Sequence, residues 1–239
     1  MYIQHSAAIW ADHPELVAGA VHATGIEPGV SVAARAEPFY ATARERLATG
    51  PESEFPEIQA WRRTFTRMGL KPTQYRCASE SLLRRFRKEG ALPRIHPLID
   101  LCNAVSLAYA IPVAALDLTR ITGGLEVRPA TGEEEYETFG GDTEHPAPGE
   151  VTFADEAGRA HARRWTNRQS GLSAVRDATT SVLIIAEATH ESAYADVPRL
   201  IEALAGELRA LWPVAPATAV LSWDSPRFTM PAPEEALRR

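Results

Sequence analysis

Cysteine is scarce in this chain, which limits the metal and disulfide chemistry open to it. The sequence of 239 residues contains two cysteines, Cys77 and Cys102, and they do not form a CxxC pair. Two isolated cysteines cannot build a zinc site by themselves, and they do not make the disulfide framework of a small secreted protein. We therefore expect buried free thiols, and we expect neither a metal nor another cofactor.

Long hydrophobic runs are also missing. No apolar segment approaches the roughly 20 residues that a membrane-spanning helix needs, and residues 1–10 lack the basic and then apolar layout of a secretory signal. These absences predict a cytoplasmic protein with no membrane contact. With 45% hydrophobic and 23% charged residues, the composition is typical of a globular protein. We expect one domain over residues 1–223 and a flexible tail over 224–239.

The motifs of several enzyme classes are absent as well. The sequence has no GxSxG nucleophile elbow, no P-loop, no GxGxxG after a predicted strand and no HExxH motif. Its seven histidines are scattered without the spacing of metal ligands. The sequence therefore supports neither a serine nucleophile nor a metal site, although distant residues could still converge in the fold.

Net charge changes sign along the chain. The whole sequence carries a formal charge of −6, which argues against indiscriminate nucleic-acid binding and against DNA as a partner. Between Arg62 and Arg94, however, there are ten basic residues and only two acidic ones. Such a local excess of positive charge attracts phosphate. The alternative is a solvent-exposed helix face whose arginines pair with acidic residues from elsewhere, such as those at 133–135.

Hydrophobic periodicity predicts mainly helices before Pro112 and mainly strands after it. The predicted helices are 14–24, 37–48, 56–68, 75–88, 97–109 and 193–212. The predicted strands are 2–9, 113–116, 125–128, 151–154, 160–165, 181–189 and 217–223. The run from Val182 to Ala186 is apolar on both faces, which predicts a central strand. We therefore expect an α+β (mixed α/β) fold with a central, mostly antiparallel or mixed sheet flanked by helices.

The segment richest in chemical groups is the run from Arg163 to Ser170, RRWTNRQS. Its three guanidinium groups, one indole and two carboxamides offer paired donors for phosphate or carboxylate and a flat surface for a base or sugar. The same residues also fit a strand end at the surface, with Trp165 packed inward and the arginines in surface ion pairs.

Glu187 ends the predicted central strand on the same face as Leu183 and Ile185. A carboxylate at the end of an apolar row must find a donor, a cation or water. Two interpretations stay open. Glu187 orients a hydrolytic water, or it pairs with an arginine such as Arg164 or Arg128.

Many short motifs, taken in order, resemble one known domain. They are YR (75–76), SE (79–80), LLRR (82–85), LIDLCNAVS (98–106), IP (111–112), LDL (116–118), GLEVRPA (124–130), GE (132–133), GEV (149–151), RRW (163–165) and NRQ (167–169). The series is similar to the tRNA-editing domain in the beta subunit of bacterial phenylalanyl-tRNA synthetase, and it covers residues 62–189. A chain of 239 residues has no room for the rest of that subunit, so it looks like a freestanding relative.

The resemblance implies a trans-editing aminoacyl-tRNA deacylase, which hydrolyses the ester bond of a mischarged tRNA without a protein nucleophile. Glu187 matches the strand glutamate of the synthetase pocket, while the histidine of the family's GQPxHAFD stretch falls on Ala114. The glycine-rich loop that walls the synthetase pocket falls on residues 164–170. Because this segment departs most from the synthetase pattern, we expect it to set the specificity.

The resemblance and the residue chemistry together give three groups of candidate site residues. The catalytic candidates are Glu187, which binds the amino group or orients water, and Asn167 and Arg164, which stabilise the oxyanion. The candidates for substrate binding are Trp165, Arg168, Gln169, Asn103, Asp117 and Arg128. The candidates for binding acceptor-stem phosphates of tRNA are Arg76, Arg84, Arg85, Arg87 and Lys88. Trp165 is expected to stack on the terminal adenine.

Two other functions stay open. A non-catalytic module would bind tRNA or a free amino acid without turnover, which the loss of the histidine at Ala114 favours. A small-molecule enzyme would act on an amino-acid-like compound and use residues 163–168 as a carboxylate clamp.

Overall fold

The computed structural model describes residues 1–231, which form six α-helices and twelve strands. The helices are α1 (Ala7–Asp12), α2 (Ala33–Thr49), α3 (Pro56–Arg67), α4 (Ala78–Glu89), α5 (Pro97–Tyr109) and α6 (Ala193–Leu211). The strands are β1 (Tyr2–His5), β2 (Val17–Thr24), β3 (Val113–Asp117), β4 (Gly124–Pro129), β5 (Tyr136–Glu137), β6 (Thr143–Glu144), β7 (Val151–Asp155), β8 (Ala162–Arg163), β9 (Arg168–Gln169), β10 (Ser181–Ala188), β11 (Ala217–Leu221) and β12 (Arg227–Thr229). Short 3₁₀ turns lie at Glu52–Glu54 and Leu118–Arg120.

Two four-stranded sheets form the centre of the protein. One has the order β11-β2-β10-β3 and is antiparallel throughout. The other has the order β12-β1-β4-β7 and is mixed, because β1 and β4 run parallel. The predicted α+β class is confirmed, and so is the interior position of β10. The expected single central sheet is in fact two sheets.

The two faces of β10 contact different layers. Val182, Ile184 and Ala186 pack into a core shared with α5 and α6. Leu183 and Ile185 point the other way, into a core that also contains residues of the second sheet and of α3 and α4. Since side chains alternate along a strand, Glu187 lies on this second face, between the two sheets.

Several helices are where the sequence places them. Helix α3 begins with Pro56 in its first turn, and Ile58, Trp61 and Phe65 line its buried face. Helix α4 ends at Gly90, whose left-handed φ of 76° closes the helix. Helix α5 is confirmed over the predicted bounds, Pro97–Tyr109.

Three predictions for the N-terminal and loop segments are wrong. Residues 17–24, expected in a helix, form β2, because β10 and β11 supply backbone hydrogen bonds at both of its edges and the two hydrophobic cores bury its faces. The expected strand 2–9 stops at His5, since Ser6 caps α1 by accepting the Ile9 N–H. Of the expected strand 160–165, only Ala162–Arg163 is extended.

The C-terminal segment is partly structured. Arg227–Thr229, within the expected tail, pairs antiparallel with β1 as strand β12. Residues 232–239 of that tail lie outside the described residues. No helix within residues 1–231 is both long and apolar enough to span a membrane.

Both cysteines are buried and unpaired, as expected. Burial raises the pKa of Cys77 to about 11 and that of Cys102 to about 12.

Candidate functional site

Glu187 is buried near the end of β10, with 2% of its surface exposed. Its Oε1 accepts a hydrogen bond of 2.9 Å from the indole Nε1 of Trp165 and lies 2.6 Å from the Nε2 of His5. No hydrogen bond from residues 1–231 reaches Oε2. The ion pair with Arg164 or Arg128 does not form, so Glu187 keeps one carboxylate oxygen free.

Glu187 borders a small cavity between the two sheets. The volume of this cavity is about 70 Å³. The lining residues are Ala78, Pro112, Val113, Ala114, Leu116, Phe153, His161, Ala162, Trp165, Thr166, Asn167, Arg168, Gln169, Ile185 and Glu187. We call this space the Glu187 cavity. A larger open groove of about 550 Å³ lies between α2, Phe86 of α4 and the segment 90–97, and none of the site residues predicted from the sequence lines it.

A left-handed turn places the aromatic side chain of the Arg163 to Ser170 run inside the protein. Arg164 has a φ of 49° and Trp165 a φ of 57°, which is uncommon for residues other than glycine. Trp165 is 1% exposed and packs edge-on against Trp61, with ring centroids 5.1 Å apart. The buried indole therefore has no face open for stacking on an adenine.

The three arginines of the run all point away from the cavity or are already paired. Arg163 binds Glu144 at 2.6 Å and Glu150 at 3.0 Å. Arg168 is exposed, although it borders the cavity, and pairs with Glu144 at 3.1 Å. Arg164 lies over the ring of Tyr75, 4.6 Å from its centroid. Because Arg163 and Arg168 are neutralised by glutamates, a carboxylate clamp at 163–168 is not available.

The two carboxamides of the run anchor backbone on opposite sides of the cavity. Asn167 donates its Nδ2–H to the carbonyl of Arg76 at 2.7 Å, and Gln169 donates its Nε2–H to the carbonyl of Ala115 at 2.9 Å. A carbonyl accepts only, so each amide must turn its NH₂ group toward it. One N–H of the Asn167 amide, which was predicted to stabilise an oxyanion, is therefore engaged, and its second N–H makes no hydrogen bond with residues 1–231. Arg164 does not line the cavity.

His161 lines the cavity and was not among the predicted site residues. It is fully buried, and its Nε2 lies 3.3 Å from Oδ2 of Asp155. Burial alone would raise the pKa of Asp155, but the interaction with His161 and the backbone N–H groups of Arg159 and Thr122 outweigh it and hold that pKa at about 2. The sequence gives no sign of this pair, because a lone histidine without ligand spacing is uninformative.

Three predicted substrate-binding residues lie elsewhere. Asp117 accepts hydrogen bonds from the Thr119 N–H and from the Thr179 hydroxyl, which fixes the turn after β3. Arg128 binds Glu134 at 2.5 Å. Asn103 is a half-buried residue of α5 outside the cavity lining. By contrast, Ala114, where the family's histidine is missing, does line the cavity.

Half of the ten basic residues between Arg62 and Arg94 are paired with acidic partners. The pairs are Arg62 and Arg76 with Glu80, Arg67 with Glu15, Arg85 with Glu89, and Arg87 with Glu52. The glutamates at 133–135 do not supply these partners; Glu134 binds Arg128 instead. Within residues 1–231, the exposed Arg84 and Lys88 of α4 have no ion-pair partner.

Comparisons with known proteins found one matching family and two similar proteins. A family model described as the B3/4 domain matches residues 60–202. The beta subunit of phenylalanine–tRNA ligase from Cereibacter sphaeroides is 33% identical over 159 residues, which is 66% of this chain but 18% of that subunit. An N-terminal fragment of the phenylalanyl-tRNA synthetase beta subunit from Pyrococcus horikoshii superposes with a TM-score of 0.49 at 9% identity, covering 90% of this chain and 49% of the fragment.

Proposed function

The chain belongs to the B3/4 domain family, and on that premise we propose that it is a trans-editing deacylase. It hydrolyses the ester bond between an amino acid and the terminal ribose of a mischarged tRNA. The observation that carries the proposal is the free Oε2 of Glu187 beside a cavity. A buried carboxylate with one oxygen unsatisfied binds a donor, and the α-ammonium group of an aminoacyl ester is a charged donor of suitable size.

The polar groups of the cavity offer acceptors to an ammonium group. Glu187 contributes a free carboxylate oxygen, and the amide NH₂ groups of Asn167 and Gln169 are held by backbone carbonyls. Their amide oxygens make no hydrogen bond with residues 1–231. The cavity therefore presents acceptors, which complement the cationic end of an amino acid.

Hydrolysis at this site needs a group that handles a proton. Water adds to the ester carbonyl carbon, the bond to the ribose oxygen breaks, and that oxygen takes up a proton as the amino acid leaves. Histidine is the side chain best suited to proton transfer near neutral pH, and a carboxylate partner orients its ring. We assign this proton transfer to His161, which is held beside Asp155.

The tRNA body would be held on the side of α4. Arg84 and Lys88 are exposed there without ion-pair partners among residues 1–231. Asn167 and the carbonyl of Thr166 bind the residues just before and at the start of α4, at 2.7 and 2.8 Å. The cationic helix is thus connected directly to the cavity lining, which suits a ligand with an acceptor stem outside and an aminoacyl end inside.

The test is hydrolysis of a panel of mischarged tRNAs by the wild-type chain and by Glu187→Gln. We expect at least one ester to be cleaved faster than its spontaneous rate, and Glu187→Gln to lower kcat/KM by about 10- to 100-fold, as loss of a charged hydrogen bond does. Glu191→Gln, an exposed change outside the cavity, is the matched control. If no ester is cleaved, the deacylase proposal is wrong.

A second candidate function is binding of aminoacyl-tRNA without turnover. It is favoured by Ala114, which lines the cavity in place of the family's histidine. This function predicts salt-dependent binding of tRNA with no deacylation in the same panel. His161→Gln would then leave binding unchanged, whereas in a deacylase it lowers kcat.

A further inference from the structure

The size of the Glu187 cavity bears on which amino acid it receives. A cavity of about 70 Å³ has about half the volume of an apolar cavity that binds benzene, which measures about 150 Å³. A phenol ring is larger than benzene and does not fit. Resting on the proposed deacylase function, we propose that the chain acts on tRNA esters of small amino acids, of alanine or serine size, and excludes tyrosine.

The walls of the cavity are fixed, so the size limit is built into the core. Trp165 is 1% exposed, and its ring contacts Trp61 and His13 edge-on at 5.1 and 4.9 Å. Its N–H is also bound to Glu187. Turning the indole away would break this hydrogen bond and both aromatic contacts, which together stabilise its position.

The opposite wall is equally constrained. Phe153 and Ile185 are each 2% exposed and belong to the core between the sheets. Gln169 is tied to β3 by its bond to the Ala115 carbonyl. Because packed interiors do not yield to an added ring without strain, widening this cavity for an aromatic side chain is unfavourable.

The lining also indicates how a small substrate is oriented. With the ammonium group at Oε2 of Glu187, the side chain lies against Ala114, Leu116 and Phe153. These residues offer apolar contact to a small side chain. A methyl or hydroxymethyl group fits there. Selection would act by exclusion of larger side chains.

The experiment uses one tRNA body acylated in turn with alanine, serine, valine, phenylalanine and tyrosine, and measures kcat/KM for each ester with the full chain. We expect alanyl and seryl esters to be hydrolysed at least about 100-fold faster than the tyrosyl ester, the discrimination that about 2.7 kcal/mol of lost binding gives. Equal rates for tyrosyl and alanyl esters would overturn the size limit and leave the deacylase function intact. Cleavage of no ester would overturn both.

A cavity-filling variant makes the test independent of the panel. Ala114→Leu adds atoms into the cavity from a half-buried position on β3, an edge strand. We expect it to abolish hydrolysis of the seryl ester and to lower kcat/KM for the alanyl ester by less than tenfold. Ala217→Leu, a half-buried alanine on β11 at the other edge of the same sheet, is the matched control and should change neither. Unchanged rates in Ala114→Leu would contradict the proposal.

Discussion

Two glutamates of this protein, Glu134 and Glu187, are equally buried but differ in how many of their carboxylate oxygens have hydrogen-bond partners. Each is 2% exposed. Glu134 binds the guanidinium of Arg128 and accepts backbone N–H groups of Thr131 and Gly132 on both of its oxygens. Glu187 has both of its contacts on a single oxygen, and the other borders a cavity.

The difference separates a structural carboxylate from a functional one. A carboxylate whose oxygens are all satisfied holds its own turn together and has nothing left for a ligand. Burial would raise the pKa of Glu134, but the backbone N–H groups of Thr131 and Glu134 and the hydrogen bond from Arg128 lower it to about 2. Both glutamates are buried, so burial does not tell them apart. The glutamate that has a carboxylate oxygen without a hydrogen-bond partner is the one beside a candidate site.

The largest expected effect comes from removing the structural carboxylate. The pKa of Glu134 falls from its ordinary value of 4.5 to about 2 in the folded chain, so its ionised form stabilises the fold above pH 4.5. That stability is lost as the pH falls from 4.5 toward 2. We expect Glu134→Gln to lower the free energy of unfolding by about 3 kcal/mol at pH 7 and by almost nothing near pH 2.

Chemical denaturation of wild type and Glu134→Gln across that pH range measures the difference. Glu135→Gln, at the exposed neighbouring position, is the control and should change stability by less than about 0.5 kcal/mol. The kcat/KM of the Glu134→Gln protein, measured per folded molecule, should equal that of the wild type. A loss of activity without a loss of stability would reverse the assignment of the two glutamates.

The second effect concerns the residue that fixes Glu187. His5 lies outside the matched family region, residues 60–202, and its Nε2 is 2.6 Å from Oε1 of Glu187. Since a carboxylate only accepts, His5 must donate, and it leaves the other oxygen directed to the cavity. We expect His5→Leu to lower kcat/KM about 10- to 30-fold, equivalent to one lost hydrogen bond to a charged group.

Rescue by a conservative variant distinguishes positioning from general stability. His5→Gln keeps an N–H donor and should recover most of the activity, while both variants are followed by thermal unfolding. His145→Leu serves as the control for loss of a histidine outside the cavity lining; its ring contacts the carbonyl of Glu134 at 3.0 Å and does not contact Glu187. If His5→Gln is as inactive as His5→Leu at equal stability, then a donor to Oε1 is not what positions Glu187.

The contrast between the two glutamates also explains how far the sequence predicts the site. Alternation along β10 places Glu187 beside Leu183 and Ile185, and the apolar run before it predicts an interior strand; both features are local. The partner His5 is 182 positions away, and pairing of β1 with β4 and β12 brings the N-terminal strand into the second sheet. No spacing rule connects such residues.

Local sequence fails where tertiary pairing decides the backbone. The alanine-rich segment 17–24 has the composition of a helix and becomes a strand because β10 and β11 supply its hydrogen bonds on both sides. The left-handed turn at Arg164 and Trp165 could not be predicted from the sequence either, since neither residue favours a positive φ. That turn decides which members of the Arg163 to Ser170 run reach the cavity.

The smallest expected effect extends the comparison to exposed charges, where a partner again decides what a residue can bind. Arg84 and Lys88 are exposed without an ion-pair partner in residues 1–231, whereas Arg85 on the same helix binds Glu89 at 2.9 Å. A cation already paired gains less from a phosphate, because it must first give up its carboxylate.

We expect the double change Arg84→Gln with Lys88→Gln to weaken tRNA binding about fivefold and to reduce the slope of log Kd against log salt by about 2. Arg85→Gln should change the slope by much less than 1, measured by filter binding at several salt concentrations. An equal effect of Arg85→Gln would mean that net charge alone, and not the availability of each cation, governs this surface.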